Sequence, residues 1–372
     1  MRLLDRYLLR ELLVPLGYCL GGFLVFWISF DLISELNHFQ KQRLHPTDVA
    51  AYYIVKTPEL LLVVVPVALL LALLYALTNH ARHHELTAIR AAGVGLWRIS
   101  LPYLAVGFVL SLELFALNEM WVPTAAETAE EILSRYEARK SNPRREWETN
   151  LFFVNTTDGR TWEIGAYNLK TRLMVNPILS WHLPDRTRQE IYAQHALWTN
   201  RMWVFYDVQR FNYPATGTDI PSISRTNELA LPELSERPGR IKSEIKISRL
   251  NSIKEAKRAQ LSIKEIRTYL RWHPQLDSQR RALLETKWHY CLAMPWTCLV
   301  VVLIAIPFGA ASGRRNIFVA VAASIFIVFA YFILRELSLA LGASNYLEPW
   351  LAAWLPNLLF GATGIALTFR VR

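Results

Sequence analysis

Charge is scarce in this 372-residue chain: Asp, Glu, Lys and Arg make up 19% of it, against about 25% in soluble domains. Cysteine is scarcer still. Its three residues are too few for a disulfide framework, and Cys19, Cys291 and Cys298 all lie inside apolar runs, where a thiol packs as a small hydrophobe. No G-x-x-x-x-G-K-[ST] stretch is present, which excludes nucleotide hydrolysis through a phosphate-binding loop. The H-E-x-x-H zinc pattern and the G-x-S-x-G nucleophile elbow are missing too, so an enzyme reading has little to rest on. The first apolar run has no small-residue cleavage site after it and is expected to remain as a span. No internal repeat or low-complexity tract is evident.

Apolar residues, by contrast, reach 52% and are clumped. Crossing about 30 Å of hydrocarbon takes about 20 of them, and six stretches meet or approach that length: Leu12–Ile33, Val55–Leu77, Leu96–Trp121, Tyr290–Phe308, Ile317–Leu341 and Trp350–Phe369. Pro58 and Pro66 predict a kink or break early in the second. Trp27, Trp121, Trp288, Trp350 and Trp354 fall near span ends, where amphipathic rings sit. Arg2, Arg6 and Arg10, then Arg82, Arg90 and Arg98, then Arg314 and Arg315, then Arg370 and Arg372 share one side if the chain crosses six times. The positive-inside bias makes that side, with both termini, cytoplasmic. Arg280, Arg281 and Lys287 precede span four on the other side, where a long loop crosses largely regardless of charge.

Spans three and four are far apart. From Asn150 to about Ile247 the insert reads as β, in short apolar and aromatic runs ("LFFVNT", "TWEIGAYNL", "RLMVNPILSWHL", "QEIYAQHALW", "MWVFYDVQRF") parted by turn signals such as Asp158-Gly159. Imperfect alternation suits a sandwich or jelly roll. "AAETAEEILSRYEARK" before it and the basic "LNSIKEAKRAQLSIKEIRTYLRW" after it read as helix. The expected organisation is residues 1–122 with three spans and a short helix near 83–95, then 123–287 outside the membrane with a β domain at about 147–247 and a helical connector at about 250–287, then 288–372 with three more spans.

The formal charge is +10, and most of the surplus lies between Arg240 and Lys287, where thirteen basic residues stand against five acidic ones. In a membrane chain without a recognition motif this excludes nucleic acid and points to anionic lipid or a solvated face. Within the spans, Asp31, Glu113, Arg335 and Glu336 are costly placements. Each either faces a polar cavity or sits at the interface or in a pair between spans. Adjacent helical residues point about 100° apart, so Arg335 and Glu336 need not form a mutual salt bridge. His80, His83 and His84 beside Glu85 have a spacing that can hold a metal, but a solvated membrane-surface helix is the plainer expectation, and no metal is assigned.

Between spans two and three lies "HHELTAIRAAGVGLWRIS", a short charged helix stopped by glycine. "ELTAIRAAGVG", "LDRYLLRELLVPL", "NEMWVPTAAETAEE", "LSIKEIRTYL", "MPWTCLVVVLIAIPFGAASGRR" and "WLPNLLFGATGIAL", together spread over nearly the whole chain, resemble the LptF/LptG family of lipopolysaccharide export permeases. The resemblance implies a membrane α-helical fold of six transmembrane helices with a periplasmic β-jelly-roll domain inserted between helices three and four, in the inner membrane of a Gram-negative-type bacterium. It implies a heterodimer with a paralogous permease, an LptB-like ATPase dimer that holds the ATP and Mg, an LptC/LptA-like periplasmic bridge, and lipopolysaccharide as cargo. No cofactor is implied in the chain itself.

The resemblance makes the segment near 83–95 a coupling helix docked in a groove of the ATPase. Glu85 would meet a partner arginine, Leu86 and Ile89 would plug the groove, Arg90 would pair with an acid, and Gly93 would cap the helix in the left-handed region. The β domain would shield acyl chains, whose exposure to water costs about 0.8 kcal/mol per CH₂. Trp162, Trp181, Trp198, Trp203 and Phe205 are candidates for that wall or for ordinary core. At the outer end of span one, "FDLISELNHFQKQR" puts Asp31 and Glu35 where cations would meet lipid phosphates. Either the partner permease supplies those contacts or Lys41, Arg43 and Arg335 do. Two other readings stay open on sequence: a mechanotransmission permease of the FtsX/MacB type, and a membrane-anchored β-domain scaffold without transport.

Overall fold

A computed structural model describes residues 3–42, 44–137, 147–155, 158–182, 187–214, 221–310 and 317–370. Among these, six helices are long and apolar enough to cross a membrane: Leu3–Asn37, Pro46–Arg82, Leu96–Ala126, Ser278–Pro307, Phe326–Ala343 and Pro349–Arg370. They belong to α1 (Leu3–Gln42), α2 (Pro46–Arg82), α4 (Leu96–Ala116) continued through a π turn into α5 (Val122–Glu137), α9 (Ser278–Ala293) with α10 (Thr297–Ala310), α11 (Ile317–Ala343) and α12 (Pro349–Arg370). The short α3 (Glu85–Ala91) joins α2 to α4. The chain folds as two compact units, a membrane unit formed by Met1–Tyr136 with Ala282–Arg372 and a second unit formed by Glu137–Arg281.

In the membrane unit α2 is apolar on every side, and such a helix belongs in the centre. Ala68, Leu69, Ala72 and Leu73 are fully buried, and α2 packs against α1, α10, α4 and α11. Of the kink or break expected at Pro58 and Pro66, the break does not occur: α2 runs on from Pro46 to Arg82, with Pro66 itself buried. Close approach replaces bulk between the later helices. A Cβ on Gly364 would stand 2.7 Å from the Leu303 carbonyl oxygen of α10, and one on Gly342 would stand 2.4 Å from the Ala352 Cβ. Backbone cannot step aside, so Gly364→Val is expected to cost about 1–3 kcal/mol. A lowered thermal midpoint of the detergent-solubilised chain would register it, and an unchanged one would refute this packing.

A polar chain crosses the same bundle. The Thr297 and Tyr331 hydroxyls lie 2.8 Å apart, Tyr331 donates to Asn357 Oδ1 at 2.7 Å, and Asn357 Nδ2 donates to the Ala293 carbonyl at 2.7 Å. It ties α9, α10, α11 and α12 at groups that hydrocarbon would leave unsatisfied.

The second unit is built on one antiparallel sheet. β1 (Trp147–Asn155), β2 (Arg160–Asn168) and β3 (Leu173–His182) follow as hairpins. β4 (Arg188–Tyr192) and β5 (His195–Thr199) then share one position between β3 and β6 (Met202–Tyr213), parted at Ala193 and Gln194. β7 (Ser222–Leu231) pairs with the other side of β6. Trp162, Trp203, Phe205, Ile164, Leu179 and Ile191 close the core from the sheet, and Leu234, Ile241, Ile245 and Trp272 close it from the following segment. That segment corrects the expected extent of β structure. Residues 238–248 form helix α6 (Pro238–Ser248), opened by a proline at its first position, with Ile241 and Ile245 one turn apart on its buried side. α7 (Ile253–Arg258) and α8 (Ile263–Trp272) follow, the latter opened by a capping box of Ser262 and Glu265.

A buried charge network joins the β1–β2 turn to the strand-free segment after β7. Glu236 is fully buried and accepts from Arg160 at 3.2 Å and from Asn155 at 2.7 Å, while its carbonyl accepts from Trp203 Nε1 at 2.6 Å. Arg160 also donates to Asp158 and to the Glu233 carbonyl, and lies over the Trp181 ring at 4.1 Å.

Between α6 and α8, His273 Nε2 meets Glu244 Oε1 at 3.2 Å while its Nδ1 meets the Tyr269 carbonyl. Burial pushes the His273 pKa down, but the bond to Glu244, that carboxylate's charge and the Tyr269 carbonyl outweigh burial and the opposing Arg280, so the pKa is raised. A raised folded pKa stabilises fully below the ordinary value near 6.5, and the gain is lost as pH rises through the folded one. Thermal melts should therefore show stability falling as pH rises through the His273 pKa, with that component missing in Glu244→Gln. Equal pH profiles for the two proteins would contradict the pairing.

Candidate functional site

The short helix α3 is held at both ends by its own sequence. At its start His84 takes a left-handed backbone, φ 58°, that reverses the chain out of α2. At its end Gly93 has φ 86°, Gly93 N–H donates to Arg90 O at 3.0 Å and Val94 N–H to Ile89 O at 3.3 Å. Those two bonds are the Schellman pair, and Ile89 and Val94 both pack on the core beneath.

Glu85 is tied inward. One carboxylate oxygen, Oε2, receives the Tyr7 hydroxyl of α1 at 2.9 Å and His80 Nδ1 of α2 at 2.7 Å. The Tyr7 and His80 rings stand 5.6 Å apart. Burial raises the Glu85 pKa, but the bonds from His80 and Tyr7 and the nearby His80 and His83 outweigh it, and the carboxyl titrates below its usual range. The carboxylate is about one third exposed, and Oε1 accepts no bond from the described residues. A second tie runs alongside, Arg98 of α4 to Asp5 of α1 at 2.8 Å. His80, expected on a solvated helix, is instead buried at the end of α2.

Leu86 is buried in the chain's own core and Ile89 packs beside it. In the chain alone that face anchors α3, with Leu86 buried and Ile89 left partly exposed. The outward face carries Thr87, Ala88, Ala91 and Ala92 with Arg90, all exposed. A notch of 360 Å³ adjoins it, lined by Arg90, Gly93, Gly95, Trp97, Thr368 and Phe369 among others.

The candidates for lipid contact do not gather in one place. Asp31 pairs with Lys56 of α2 at 3.0 Å and receives the Tyr53 hydroxyl at 3.0 Å, so it links α1 to α2. Arg335 contacts its neighbour Glu336 at 3.1 Å, so the two do pair despite their angular separation, and it lies over the Phe332 ring at 4.7 Å. Glu113 is exposed on α4, four residues before the π turn Leu117–Trp121. Lys41 is the penultimate residue of α1, with only its backbone described, and Arg43, Arg314 and Arg315 lie outside the described residues. Of the aromatic candidates, Trp162, Trp203 and Phe205 have no exposed surface and are core as placed, while Trp181 and Trp198 are partly exposed. Sequence reading missed Tyr7, whose only signal was its place near a charged helix end, and it singled out His80 for its histidine spacing and not for its bond to Glu85.

Comparison with known families spans nearly the whole chain: the lipopolysaccharide export system permease LptF/LptG family matches residues 6–370. The chain belongs to the LptF/LptG family. Six apolar helices and an antiparallel β domain between the third and fourth fit that fold. This LptF/LptG permease is therefore an integral inner-membrane transport component, not itself catalytic. No curated protein matches the chain.

Proposed function

We propose that this permease is one half of a paralogous pair that, driven by an LptB-like ATPase dimer holding the ATP and Mg, extracts lipopolysaccharide from the inner membrane. The pair passes the lipid through the β domain to an LptC/LptA-like periplasmic bridge. The β domain is then periplasmic and both termini cytoplasmic, in keeping with Arg6, Arg10, Arg82, Arg90, Arg98 and Arg370 at the helix ends on one side.

The observation that carries this reading is the family match combined with the tethering of α3. The ATPase meets the outward ridge of Thr87, Ala88 and Ala91, whose small side chains permit close approach. Arg90 and the free Glu85 Oε1 supply charge at its edges. Tyr7 and His80 hold the other oxygen, so displacement of α3 is handed to α1 and α2. Glu85 thus both receives the push and transmits it.

Copurification and ATP-dependent release of lipopolysaccharide from proteoliposomes test the proposal. An ATPase subunit should accompany the chain, and release should require hydrolysis. A chain that binds no ATPase would fit the scaffold reading instead, and one that couples to hydrolysis without moving lipid would fit mechanotransmission.

A further inference from the structure

A cavity of 760 Å³ opens between α1 and α2. Its lining changes character along the antiparallel helices. At one end stand Arg10 and Glu11 of α1 with Thr78, Asn79 and Arg82 of α2, the last being the final residue of that helix. Further into the spans the walls are Val14, Tyr18, Leu71 and Leu74. Arg10 to Tyr18 is eight residues, roughly 12 Å of helix.

The polar end is incompletely satisfied. Arg10 and Arg82 are exposed, and neither forms an ion pair or hydrogen bond with the described residues. The Thr78 hydroxyl is buried without a partner among the described residues. At a membrane boundary such groups take their bonds from lipid or water. Two guanidinium forks suit a phosphate, and with Glu11 beside them the rim carries a net single positive charge. That balance fits the single negative charge of a phosphodiester better than a doubly charged free phosphate, and the apolar slot beyond it asks for a hydrocarbon tail. A protein helix seated here would have to bury two arginines against its own surface, at a cost the lipid does not incur.

We propose that this cavity is a binding site for an anionic glycerophospholipid of the surrounding leaflet. The phosphodiester lies between Arg10 and Arg82 and accepts from Thr78, and one acyl chain lies along the slot beside Val14, Tyr18 and Leu71. Occupancy requires membrane residence and not the transport cycle, so it stands apart from the proposed function.

Native mass spectrometry of the full-length chain, with whatever subunits accompany it, tests the site using dioleoylphosphatidylglycerol, dioleoylphosphatidylethanolamine and inorganic phosphate as probes. Phosphatidylglycerol should be retained about tenfold better than phosphatidylethanolamine, and R10A/R82A should remove that preference. Val14→Trp, at an exposed position that leaves both arginines in place, should lower phosphatidylglycerol binding about tenfold with an unchanged melting curve, and it carries the test if the double variant fails to fold. Equal retention of the two lipids, displacement by millimolar inorganic phosphate, or a photo-crosslinker at position 14 that captures a protein chain in place of lipid would each overturn the proposal.

Discussion

Glu85→Ala is expected to weaken binding of the ATPase subunit by about 10- to 100-fold and to abolish ATP-dependent lipid release. A hydrogen bond to a charged group is worth about 1.5–3 kcal/mol, and each 1.4 kcal/mol is a factor of about ten. The same substitution also unties α3 from α1, because the Tyr7 and His80 bonds both end on that carboxylate. Tyr7→Phe separates the two roles. It leaves Glu85 Oε1 free to meet the ATPase, so binding should hold within about threefold while lipid release per ATP falls. Pull-down affinity and a reconstituted release assay, run on both variants, give the comparison. If Glu85→Ala binds the ATPase normally, Glu85 is not part of the docking surface. If Tyr7→Phe releases lipid as efficiently as the parent, the tie to α1 carries no force.

Arg160→Ala should give the largest loss of stability in the β unit, about 3–5 kcal/mol. The guanidinium is nearly inaccessible and its partner Glu236 wholly so. Its removal strands a buried carboxylate with Asn155 as its remaining side-chain donor among the bonds described. It also strips the cation from the Trp181 face and the donor from the Glu233 carbonyl. Glu236→Gln should cost less: its single amide oxygen can still accept from Arg160 or Asn155, no bare charge is left buried, and Arg160 keeps Asp158 and the Glu233 carbonyl. Denaturant melts followed by tryptophan fluorescence report the difference, because Trp162, Trp181 and Trp203 all lie in or beside this network. Equal losses for the two substitutions would mean that the charge itself is unimportant and that shape alone holds the β1–β2 turn.

The apolar spans could be read from the sequence because hydrocarbon imposes length and composition together, as the uniformly apolar run from Leu60 to Leu77 illustrates. The runs around Trp162 and Trp203 were legible as strands for the same reason: they carry the buried side of a sheet. β7 was not. "SISRTNELAL" is exposed along nearly its whole length and sits at the end of the sheet, so no alternation marks it. Pairing with β6 makes it a strand, and pairing leaves no trace in a single sequence. The segment around Ile241 failed differently. Its isoleucines suit a strand by propensity, and only the proline start and four-residue spacing favour a helix.

At the candidate site, the residues of α3 and its glycine stop were visible, and the direction of its faces was not. Leu86 and Ile89 share a face by spacing, but spacing cannot say whether that face meets the chain's own core or a partner. Burial of Leu86 in the chain's own core decides it, and α2, which α3 contacts, lies outside the motif. The Tyr7–Glu85–His80 tie spans 78 residues of sequence, a separation that periodicity does not reach.

The most direct measurement places a photo-reactive side chain at single positions along α3 in the assembled complex. Crosslinks to the nucleotide-hydrolysing subunit should form from Thr87, Ala88 and Ala91 and should be lacking at Leu86, which faces inward. Equal capture from Leu86, or no capture of that subunit from any outward position, would contradict a docked and tethered α3.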